Sequence, residues 1–131
     1  MNPIQYQVED GIATITLADE ENKNALGQSL TVGLFESLTA ANEDPRVRVI
    51  VLTHAGTVFC AGANLKERSS GTGAPDMGSI GFDKALSLIQ TGPKPVVARI
   101  TGAAMGGGVG LAAAADISIA SEKAKFGFTE V

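Results

Sequence analysis

Residues 103–116, AAMGGGVGLAAAAD, place three consecutive glycines between a β-type run, PVVARITG, and a run of alanines. Glycine inside regular structure costs about 0.5–1 kcal/mol relative to alanine, so such a cluster marks a place where backbone must approach something closely. A neighbouring segment or a ligand would equally meet that need. A Rossmann fingerprint fails, because the third glycine position after Gly106 and Gly108 is Leu111, and no Gly-Lys-Ser/Thr of a P-loop is present. What remains is a pair of similar turns, each following a buried-strand pattern: VRVIVLT then FCAGAN, and PVVARIT then MGGGVG. Small residues there leave backbone N–H groups uncovered, and the second turn opens a helix whose first N–H groups have no intrahelical partner. Two such groups converging on one carbonyl oxygen would form an oxyanion hole, worth a few kcal/mol in a transition state. Close packing of helix on strand explains either turn by itself. Two turns at the ends of successive buried strands weigh towards backbone chemistry.

Other reactive side chains are sparse. His54 falls in an expected loop with no second histidine or carboxylate motif nearby, and a solvated loop histidine is the expectation. Cys60 sits between Phe59 and Ala61, which reads as packing, and a thiol nucleophile would need a base that the sequence does not show. No metal-ligand spacing is present, so no metal is expected. Glu130 follows FGFT, an aromatic run that could bury it and raise its pKa.

The elements that must position these residues read as α/β. Ile4–Val8 and Ile12–Leu17 alternate apolar and polar residues around Glu9, Asp10 and Gly11, a hairpin signal. Leu30, Leu34, Leu38 and Ala41 recur at helical spacing between Ser29 and Glu43, and Asp44-Pro45 ends the run. Val47–Thr53 and Pro95–Thr101 are β-branched strands, FDKALSLIQ is a short helix, GGVGLAAAA opens another, and DISIA is a further strand. Residues 69–81, rich in Ser, Gly and Pro, are expected to be the most flexible part. Strand–strand–helix–strand–helix–strand–helix–strand argues for crossover connections within one domain.

Composition narrows the function classes. The 131 residues are 44% hydrophobic and 18% charged, an ordinary globular balance. A net charge of -4 without a basic cluster argues against nucleic acid or an anionic membrane as partner. One cysteine excludes an internal disulfide, and the polar N-terminus lacks the pattern of a signal peptide, so a cytoplasmic location is expected.

FCAGANLKE, KPVVARITGAAMGGGVGLAAAADISIAS, AKFGFTEV and NALGQSL together resemble the enoyl-CoA hydratase/isomerase (crotonase) family, over essentially the whole chain. The resemblance implies a crotonase-like spiral of ββα turns, with residues 1–131 as the N-terminal part of the core domain. It also implies trimers or pairs of trimers, and acyl-CoA thioester substrates with coenzyme A as part of the substrate and no separate cofactor. By position it makes Ala63 and Gly107 the two oxyanion N–H donors and Glu130 the proton-transferring carboxylate. Ala61, Ala63 and Leu65 match the backbone that cradles adenine, while Lys23 and Lys66 fall near the CoA phosphates. The family's second hydratase glutamate falls at Gly110, which has no side chain, and Asn64 stands where aspartate is usual. One-carboxylate double-bond isomerisation is the expected reaction, with hydration using a substitute group beside it. A non-catalytic acyl-CoA-binding or assembly subunit is the alternative. The family pattern runs well past Val131, so the chain is expected to be a fragment or a clipped record.

Overall fold

The computed structural model describes residues 2–65 and 77–128, without the side chains of 77–80. Strands β1 (Ile4–Glu9) and β2 (Ile12–Leu17) form an antiparallel hairpin pairing Ile4 with Leu17 and Glu9 with Ile12. Asp10 and Gly11 both have positive φ, 53° and 80°, the geometry of a two-residue hairpin turn whose twist matches its strands. Helix α1 (Gln28–Glu43) follows, then β3 (Val49–His54), β4 (Val58–Cys60), α2 (Met77–Thr91), β5 (Val96–Ile100) and β6 (Ala103–Met105). The chain continues with α3 (Gly107–Ala114), β7 (Ile117–Ala120) and β8 (Lys125–Gly127).

Two sheets result. One has five strands in the order β1-β2-β3-β5-β7, parallel from β2 onward; the other has three parallel strands, β4-β6-β8. Each step along the chain adds one strand to the large sheet and the next to the small one: β3 then β4, β5 then β6, β7 then β8. This is the expected spiral.

The core lies between the five-stranded sheet and the helices and takes in Phe59, Cys60 and Ala104 of the small sheet. Leu30, Leu34, Leu38 and Ala41 of α1 are buried as their spacing predicts, against Ile15, Leu17, Ile50 and Leu52. The C-terminal end of α1 is closed by Lys94, whose Nζ donates to the carbonyls of Ala41 and Asp44. A cation is favoured at that end of a helix dipole. Asp44 holds Arg46 at 2.7 Å, and that bond lowers its carboxyl pKa to about 2.

Four expectations need correction. The three short strands β4, β6 and β8 have no counterpart in the sequence reading, because three residues are too few to show alternation. The second helix begins at Met77, so residues 77–81 are helical and not loop; residues 69–76, which carry the rest of the flexibility expectation, lie outside the described residues. The third strand starts at Val49 and not Val47, since Val47 N–H turns back to the Asp44 carbonyl. His54 is not a solvated loop residue. It is the last residue of β3, paired with Leu17, and only 8% exposed.

Candidate active site

The site is built where the small sheet ends. After β4 the chain turns through Ala61, Gly62 and Ala63; after β6 it turns through Gly106 into α3. Gly62 has φ 92°, and a Cβ there would lie 2.9 Å from the Met105 carbonyl oxygen and 3.7 Å from Gly107 N. The two turns are therefore neighbours in space, as parallel β4–β6 pairing requires.

The Leu26 N–H donates to the Gly62 carbonyl at 2.7 Å, and Leu26 pairs with Ala63 as an isolated parallel bridge. In such a bridge the residues flanking Ala63 carry the bonds, so the Ala63 N–H faces away from Leu26. On the other turn, Gly106 caps α3 with φ 53° and ψ -118°, a conformation only glycine adopts readily. Gly107 is thus the first helical residue, and its N–H is one of those an α-helix leaves without an internal partner, at the positive end of the dipole. Gly106 itself is anchored, donating to the Gly127 carbonyl of β8 at 2.9 Å.

The three glycines of the cluster serve different purposes. A Cβ on Gly108 would lie 2.5 Å from the Cys60 carbonyl oxygen and 2.8 Å from Cys60 Cβ, so Gly108 is required by helix–strand packing. A Cβ on Gly107 would meet no backbone; its nearest neighbours are Leu26 Cδ1 at 2.5 Å and Phe82 Cζ at 3.4 Å. At Gly110 the nearest atom would be Phe82 Cζ at 3.9 Å, so there is room for a side chain there that the sequence does not supply. Leu26 and Phe82 are the apolar walls beside this turn. Sequence reasoning did not single them out, because each reads as a routine apolar position of a loop and of a helix.

Backbone bonds also draw together part of the expected CoA cradle. The Ala61 N–H donates to the Lys23 carbonyl at 3.0 Å, and Lys23 and Asn24 both hold positive φ, 53° and 54°. The buried Asn24 side chain fixes this loop, donating to the Leu17 and Val58 carbonyls and accepting from the Asp19 N–H at 2.8 Å. Asn24 is a third residue that sequence reasoning did not single out, because two successive left-handed residues leave no mark in composition. The Lys23 side chain is exposed and shares a small cleft with Glu20 and residues 55–58. Ala61 and Ala63 are exposed, and Leu65 is 70% exposed, a large apolar side chain left open beside them. Lys66 and Glu130 lie outside the described residues. Phe126 and Phe128, the aromatic residues ahead of Glu130, are 49% and 59% exposed, so in this chain they do not form a closed apolar setting.

Cys60 is fully buried, and burial pushes its thiol up to about 11. A thiol so held is neutral at physiological pH and inert as a nucleophile. Among the described residues no cluster of His, Cys, Asp or Glu could hold a metal ion, and no helix is long and apolar enough to cross a membrane.

Comparison with known proteins adds the family. The sequence pattern of enoyl-CoA hydratase/isomerase matches residues 7–131. The chain belongs to this family. It is 37% identical over 131 residues to 1,2-epoxyphenylacetyl-CoA isomerase of Escherichia coli, covering 96% of this chain and 50% of that one. It is 36% identical over 130 residues to (E)-benzylidenesuccinyl-CoA hydratase of Thauera aromatica, covering 98% and 51%. Among solved structures, an enoyl-CoA hydratase from Bacillus anthracis superposes with a TM-score of 0.87 at 35% identity, covering 98% of this chain and 51% of its own. The chain therefore spans about half the length of the curated relatives it matches.

Proposed function

We propose that this chain carries the thioester-binding half of an acyl-CoA enzyme, in which the Ala63 and Gly107 N–H groups receive the thioester carbonyl oxygen. The observation that carries this reading is the contact between the two turns, Gly62 beside the Met105 carbonyl and Gly107 N. A carbonyl oxygen seated between two N–H donors is polarised, and its negative charge is held as an enolate forms. The exposed 61–65 segment, tied through Ala61 to Lys23, offers backbone and a cation for the nucleotide end of CoA.

Glu130 is the proposed acid/base. On a 3-enoyl thioester its carboxylate would take the proton from the carbon beside the carbonyl, leaving a dienolate. The same proton, returned to the far carbon of the double bond, shifts that bond into conjugation with the thioester. Isomerisation is favoured over two-carboxylate hydration because Gly110 has space but no carboxylate. The proposed setting is cytoplasmic, with trimers or pairs of trimers as the working assembly.

Steady-state kinetics on Glu130→Gln beside an acyl-CoA binding titration test this. Turnover should fall about 10²–10⁴-fold while binding persists, because the amide keeps the shape and loses proton exchange. Wild-type-like turnover in the variant removes Glu130 from the mechanism. Binding without turnover in the wild type, across 2-enoyl and 3-enoyl substrates, leaves an acyl-CoA-binding subunit instead.

A further inference from the structure

His54 lies outside both turns, yet it touches the element that leads to each. Its Nε2 is 3.0 Å from Thr101 N and 3.2 Å from Thr101 Oγ1. Thr101 and Gly102 are the whole link between β5 and β6, so this bond fixes where β6 begins. A backbone N–H only donates, so Nε2 is the acceptor and the ring proton sits on Nδ1. Nδ1 is buried without a well-formed hydrogen bond, with the backbone of Ala55 and Gly56 lying close enough to favour its proton, so Nε2 carries the bond that orients the ring. On its other side the imidazole packs edge-on against Phe59 of β4, with centroids 5.6 Å apart and planes at 77°. Phe59 precedes Cys60, against whose carbonyl Gly108 is packed. One ring therefore bears on both strands that end in the 61–63 and 106–108 turns. An apolar side chain could fill the volume, but it would leave the Thr101 N–H without this acceptor.

We propose that His54 is a positioning residue whose neutral Nε2 ties the β5–β6 link against β4 and so holds the Gly107 N–H in register with the Ala63 N–H. The proposal rests on the oxyanion reading of those two groups. Protonation would place a hydrogen on the one lone pair that accepts from Thr101, and the bond must then break. Among the described residues, Arg99 on β5 is the charge that acts on the ring, and Glu20 and Lys23 line a cleft with the 55–58 loop that follows it; β4 brings only Cys60, and β2 and β6 bring no ionisable group. Burial, aided by the Arg99 charge, lowers the His54 pKa below its ordinary 6.5, while backbone at Ala55 and Gly56 acts the other way. The ring is neutral at pH 7 on that balance.

The test is an NMR titration of the whole chain from pH 7.5 downward until the His54 ring is fully protonated. It follows the His54 ring together with the amides of Ala63 and Gly107. Both amides should shift with the midpoint of the ring, below 6.5, while the amides of Leu34 and Leu38 in α1 do not follow it. In His54→Gln, whose side-chain oxygen can accept from Thr101 and does not titrate, that transition should vanish and both amides should keep their neutral positions. In His54→Ala both amides should already be displaced at pH 7.5. Amides that hold still through the ring titration, or a transition that persists in His54→Gln, overturn the proposal. Should a variant not fold, the wild-type titration decides by itself. The oxyanion reading is scored separately: butyryl-CoA added at pH 7.5 should move the Ala63 and Gly107 amides, whatever the His54 titration does.

Discussion

The two sheets of this protein divide its labour. The five-stranded sheet is made of strands of four to six residues, and β2, β3 and β5 bury β-branched and leucine side chains against helices. The three-stranded sheet is made of three-residue strands of mixed side chains, VFC, AAM and KFG. The first derives its stability from buried area. The second adds Phe59, Cys60 and Ala104 to the core, and its ends hold two bare turns side by side. Binding sites assembled on short edges over a rigid layer follow the general placement of function on segments that a scaffold positions.

That division can be broken by substitution, and the largest effect is expected in the large sheet. Leu52→Ala, at a fully buried position, should cost about 2–5 kcal/mol, read from the urea midpoint. A cost below that of the α3 variants that follow would show that stability is not concentrated in the large sheet. Gly108→Ala comes next. Its Cβ would meet the Cys60 backbone at 2.5 Å, and overpacking of this kind costs about 1–3 kcal/mol. Better helix propensity, worth up to about 1 kcal/mol, offsets only part of it. Unchanged stability would mean that α3 can slide on β4 freely. The smallest effect belongs to Gly110→Ala, which should stabilise by about 0.4–1 kcal/mol, since the added methyl has open space in a helix. A loss of stability there would show that Gly110 is under the same constraint as Gly108.

The same contrast explains what was legible in the sequence. The hairpin, α1, β3 and β5 announce themselves because alternation and helical spacing persist over five residues or more, as with Leu30, Leu34 and Leu38. β4, β6 and β8 do not, since their pairing is imposed by the neighbouring strand and not by their own side chains. The glycine cluster marks the turn that opens α3, but not the difference between Gly108, required by packing, and Gly107, where the nearest atoms to an added Cβ are side-chain ends. Resemblance, and not residue pattern, assigned the roles of Ala63, Gly107 and Glu130. His54 was misread because the sequence cannot show that Thr101, far along the chain, offers its N–H to the ring.

The Asp10-Gly11 turn has a kinetic side. Among the described residues the β1–β2 ladder is the one antiparallel, local pairing of the large sheet; each later strand must wait for a distant partner, as Ile50 does for Val96. Loop closure of that kind costs entropy before any contact rewards it. The hairpin can therefore form while the remainder of the chain is still open, and it offers β3 a ready edge through Ile12 and Val49. The parallel strands then add outward in chain order, at the slower pace that non-local pairing sets.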